Sequence, residues 1–109
     1  MTDRAPASAT ATLVAADAVD KPTALAIIAR AVGSAVDTAR PARPRIPLAD
    51  GVWIEIDIPK FGEPPPLAID VHATAGFEAA KQSALAVLPL LRAATEWTIV
   101  TDFDRVREA

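Results

Sequence analysis

The chain has no cysteine, four glycines, one histidine and one methionine among its 109 residues. Without cysteine there is no disulfide framework, no thiolate metal site and no sulfur nucleophile. None of the four glycines is spaced to cradle a phosphate, and no nucleophile elbow occurs, so the common nucleotide-binding and hydrolase signatures are absent. Ser34 and Ser83 fall in helical stretches with no histidine nearby in sequence to activate them. No apolar run approaches the roughly 20 residues of a membrane helix. The opening "MTDRAPASATAT" lacks the basic start and apolar core of a secretory signal, and the expectation is a cytoplasmic protein without a membrane partner.

Positive charge is also scarce. Eleven Lys and Arg against fourteen Asp and Glu leave a net charge of −3, which argues against nucleic-acid binding, since phosphate-backbone affinity needs clustered cations. The one basic cluster, Arg40, Arg43 and Arg45, alternates with Pro41, Pro44 and Pro47 and reads as a solvated connector. What remains is an ordinary globular composition, 51% apolar and 23% charged. A chain of this length buries about 65% of its unfolded surface, enough for one core.

Periodicity divides that core into elements. Residues 1–9 read as a disordered tail, 10–103 as a single α+β domain and 104–109 as a polar tail. Thr10 to Ala16 form a short strand. Asp20 caps a helix with Pro22 in its first turn, and Leu25, Ile28, Val32, Ala35, Val36 and Ala39 carry its apolar stripe as far as Arg40, before Pro41. Asp50-Gly51 turns into a strand over 52–58, and a second strand spans 67–73. Gly76 opens a second helix with a stripe of Phe77, Ala80, Ala84, Val87, Leu88 and Leu91. Pro89 predicts a kink or an early end there. Glu96 to Phe103 read as the last strand. The order strand, helix, strand, strand, helix, strand predicts a ferredoxin-like βαββαβ two-layer sandwich, an antiparallel sheet with two helices on one face.

The two middle strands sort their side chains by chemistry. Val52, Ile54, Ile56 and Ile58 with Leu67, Ile69, Val71 and Ala73 form the apolar side; Trp53, Glu55 and Asp57 with Ala68, Asp70 and His72 form the other. A connection centred on Gly62 sets Glu55 opposite Asp70 and Trp53 opposite His72; a register two residues away sets Glu55 opposite His72. Carboxylates beside an imidazole are the material of acid–base catalysis or a divalent-metal site. Open sheet faces also carry charge because they are wet, and tryptophan inside an acidic rim suits a protein interface. With no established ligand spacing, the expectation is no metal and no cofactor.

Two short segments resemble known families. "VDKPTALAIIARAV" is similar to the strand-to-helix junction of ACT regulatory domains, with Thr23 where the usual glycine follows the proline; that resemblance implies amino-acid binding at domain interfaces. "GFEAAKQSA" resembles a helix of dimeric α+β barrel proteins, with Ala80 and Lys81 where a histidine is common; it implies two sheet faces packed around a pocket. The expected function is a non-enzymatic accessory or regulatory protein, binding a protein partner or its own copy through Trp53, Glu55, Asp57, Phe61, Asp70 and His72. The alternative is a homodimeric barrel enzyme or small-ligand sensor.

Overall fold

The computed structural model describes residues 9–16, 20–39, 44–57 and 67–103; the side chain of Asp57 lies outside that description. Five strands, β1 (Ala9–Ala15), β2 (Ile46–Ala49), β3 (Val52–Asp57), β4 (Leu67–Ala73) and β5 (Ile99–Asp102), form one sheet in the order β2-β3-β4-β1-β5. Every neighbouring pair is antiparallel. Helices α1 (Lys21–Val32) and α2 (Phe77–Ala94) pack on each other and on the sheet, α1 over β2 and β3, α2 over β1 and β4. The fold is α+β, as its periodicities predict. The chain order, however, is βαβββαβ, and the expected four-stranded βαββαβ order is corrected by β2, inside what reads as a solvated connector.

That extra strand has a local cause. Ile46 and Leu48 alternate with Arg45 and Pro47, and Gly51 supplies the positive φ (73°) that reverses the chain into β3. The register shifts between Pro47 and Ala49, which makes room for the turn. A side chain at Gly51 would collide with the Thr74 hydroxyl, whose own backbone N–H donates to the Gly51 carbonyl at 2.9 Å.

Both helices start where expected. Asp20 accepts from the Thr23 N–H at 3.0 Å and Pro22 lies in the first turn. The end of α1 is a correction: it stops at Val32, not near Arg40. Gly33 takes φ 74° and donates to the Arg30 carbonyl, and Ser34 N–H donates to the Ala29 carbonyl, a left-handed cap that overrides the downstream apolar spacing. Pro89 does not end α2, which runs on to Ala94. Proline there removes one hydrogen bond on an exposed side of the helix, while Val87, Leu88 and Leu91 stay buried.

The core lies between the helices and one side of the sheet. Ala11, Leu13, Ala15, Ile46, Ile54, Ile56, Leu67, Ile69, Val71, Ala73 and Ile99 point into it, against Ala24, Leu25, Ile28, Ala80, Ala84, Val87, Leu88 and Leu91. Burying each of the larger side chains stabilises the fold by about 1.5–3 kcal/mol relative to exposure. Val52 and Trp97 pack half-buried at its margin. Among the described residues no helix is long and apolar enough to cross a membrane.

Candidate functional site

The side of the sheet turned away from both helices holds the chemistry. Its side chains fall into three rows running across the strands, because antiparallel register aligns residues of the same facing. The first row is Pro47, Trp53, His72 and Thr10; the second is Glu55, Asp70, Thr12 and Asp102; the third is Asp57, Ala68, Val14 and Val100. The register is the one centred on Gly62, with Trp53 opposite His72 and Glu55 opposite Asp70. It is held by Ile56 opposite Ile69 and Ile54 opposite Val71 on the covered side. A one-residue slip would turn these apolar residues to the other side, at far more than the few tenths of a kcal/mol that opposed carboxylates cost.

Each of these carboxylates has a separate donor. The Trp53 Nε1–H donates to Glu55 Oε2 at 2.9 Å, and Arg45 Nη2 stands 3.9 Å from the same oxygen. The Thr12 hydroxyl donates to Asp70 Oδ1 at 2.8 Å, with Thr12 2% and Asp70 7% exposed. Two like charges are thus tolerated side by side, one taken up by β2 and β3, the other by β1.

A stack of rings crosses the first row. The Arg45 guanidinium lies 4.5 Å from the Trp53 ring centroid, and Trp53 stacks on His72 at 5.3 Å with planes 23° apart. Arg45 comes from the β2 side and His72 from the β4 side, and the indole contacts both a guanidinium and an imidazole. His72 shares a hydrogen bond with the Thr10 hydroxyl through Nδ1 at 2.9 Å, and its Nε2 stands 3.9 Å from Glu55 Oε1.

The structure therefore brings together Trp53, Glu55, Asp70 and His72. It places the backbone of Asp57 in the third row, while Phe61, Arg40 and Arg43 lie outside the described residues. Arg45, read in sequence as part of a solvated linker, is a member of the site. Thr10, Thr12 and Asp102 were also missed, although Thr10 and Thr12 alternate with Ala11 and Leu13 in the way that would have found them.

Among the described residues no group of three or more histidines and carboxylates stands close enough to hold a metal ion. The arrangement supplies hydrogen bonding and ring stacking, on a surface whose polar groups are already ordered. A groove of about 380 Å³ in the helix layer, lined by Ala26, Ile27, Arg30, Ala31 and Ala94, offers one charged group and no partner for it among its lining residues. Comparison with family models, curated proteins and solved structures finds no match for this chain, and neither segment resemblance gains support from it.

Proposed function

We propose that the chain is a non-enzymatic accessory or regulatory protein that binds a protein partner through the open sheet face, acting in the cytoplasm. The observation that carries this reading is the ordered row of Arg45, Trp53 and His72 on a side of the sheet that no described helix covers. A rigid aromatic anchor costs little entropy to bind with, and tryptophan and arginine are the residues that most often dominate interface energetics. The half-exposed row of Val14 and Ala68, with exposed Val100 beside it, supplies apolar surface next to that anchor. Carboxylates play a smaller part than their number in the sequence implies, because Asp70 is buried on Thr12 and Glu55 is engaged by Trp53 and Arg45.

The underlying topology we propose is ferredoxin-like with an added edge strand. Its support is the neighbour order β3-β4-β1-β5 that remains when β2 is set aside.

The test places a bulky charge in the middle of the face without touching the core. Ala68 is half-buried on β4, between Asp57 and Val14 in register. A partner retained from cell lysate by the wild-type protein is expected to be lost with Ala68→Arg and with Trp53→Ala, at unchanged circular dichroism. A partner retained equally by all three baits, or none retained by the wild type, would overturn the reading.

A further inference from the structure

The two edges of the sheet are finished differently, and the difference points to a second interaction surface. At the β2 edge the outward main-chain groups are occupied. Arg45 exchanges two hydrogen bonds with Asp37, at 2.7 and 3.1 Å. Pro47 has no N–H, and its carbonyl accepts from the Ser34 hydroxyl at 2.7 Å. This edge is blunted by the means sheets ordinarily use.

At the β5 edge the hydrogen-bond phase is set by Ala16, whose N–H donates to the Thr98 carbonyl at 3.0 Å. Thr98, Val100 and Asp102 therefore turn their main-chain groups toward β1, while Ile99 and Thr101 turn theirs outward. Arg92 Nη2–H donates to the Ile99 carbonyl at 2.9 Å, and that oxygen keeps a second lone pair. Among the described residues no strand pairs with Ile99 and Thr101 on that side. The strand carries no proline, lysine or bulge, and Val100 is 53% exposed.

We infer that the β5 edge pairs with the β5 edge of a second copy of this chain, continuing the sheet across a twofold axis at Val100. The occupant follows from the sequence of the strand. With Val100 on the axis, Ile99 faces Thr101 of the second copy in both directions, so all the outward N–H and C=O groups of those two residues meet, giving four main-chain hydrogen bonds. Val100 then opposes its own copy in a non-hydrogen-bonded pair, where side chains approach most closely, and its exposed surface is covered. Thr98 comes opposite Asp102, and no like charges face each other among the paired strand residues. A register shifted by one residue would turn outward groups against inward ones. The pairing runs along the sheet edge and shares Val100 and Asp102 with the outer rows of the open face, but it does not depend on a partner bound there.

The experiment is sedimentation of the full chain over a concentration series reaching about 1 mM, beside Thr101→Pro and Val100→Lys. Thr101→Pro removes an outward N–H at an edge position where proline is tolerated, and Val100→Lys sets two charges against each other on the axis. The wild type is expected to shift from monomer to dimer along the series, and each variant to need at least about tenfold more protein for the same dimer fraction. Val100→Lys alters an exposed side chain, so it keeps the test meaningful if Thr101→Pro misfolds. A wild type that stays monomeric throughout overturns the proposal. So does a dimer that Val100→Lys leaves unchanged; if Ala68→Arg then dissolves it, the copies meet through their faces instead.

Discussion

The two sides of one sheet are built from alternate residues of the same five strands, yet they are held together by different physics. On the covered side, apolar groups of β1, β3 and β4 meet two helices, and stability comes from removed area, which is nondirectional. On the open side each polar group needs a particular donor or acceptor at a particular distance: Thr12 for Asp70, Trp53 for Glu55, Thr10 for His72. The covered side tolerates exchange of one apolar residue for another of similar volume; the open side tolerates no such exchange of its donors. The lesson is that the covered side sets the register and the open side inherits it, including the opposed pair Glu55 and Asp70 that it must then accommodate.

Substitutions on each side separate the two contributions. The largest effect belongs to the covered side: Ile69→Ala, at a fully buried position in the middle of the sheet, is expected to cost about 2–5 kcal/mol in chemical denaturation. A loss under about 1 kcal/mol there would mean the core is loosely packed and does not hold the register. Next comes Thr12→Val on the open side, equal in shape but without the hydroxyl, which removes the Thr12 hydrogen bond to the buried Asp70 carboxylate at about 1–3 kcal/mol. Equal stability of wild type and Thr12→Val would show that solvent or other groups serve Asp70 as well, and the contrast between the sides would weaken. The smallest effect is Arg45→Ala, which removes the guanidinium from a partly exposed ring face and is expected to cost about 0.5–1 kcal/mol. Its sharper readout is Trp53 fluorescence in a Trp97→Phe background. The emission should shift when Arg45 is removed from the ring. Emission that Arg45→Ala leaves unchanged would place the guanidinium away from the Trp53 ring in solution.

Much of this was legible in the sequence because it follows from period and local chemistry. The facing of β3 and β4, the Asp20 cap and the α2 stripe apart from exposed Phe77 depend on residues near each other along the chain, while two registers of β3 against β4 stayed open until the structure chose one. The errors came where a local signal was outranked by another or given too little weight. Apolar spacing past Val32 suggested helix, but Gly33 ended it; three prolines among arginines suggested linker, but Ile46, Leu48 and Gly51 made a hairpin.

By itself the sequence determined which residues of β3 and β4 would alternate and which of them would face the core, because side-chain direction is a property of the backbone period. Only the tertiary structure decided that β1 lies between β4 and β5, bringing Thr10 and Thr12 to residues 62 and 58 positions away, and that Arg45 closes over Trp53. Those contacts depend on strand order. Strand order is chosen by how two helices and five strands best cover one apolar face together, and no single segment carries that information.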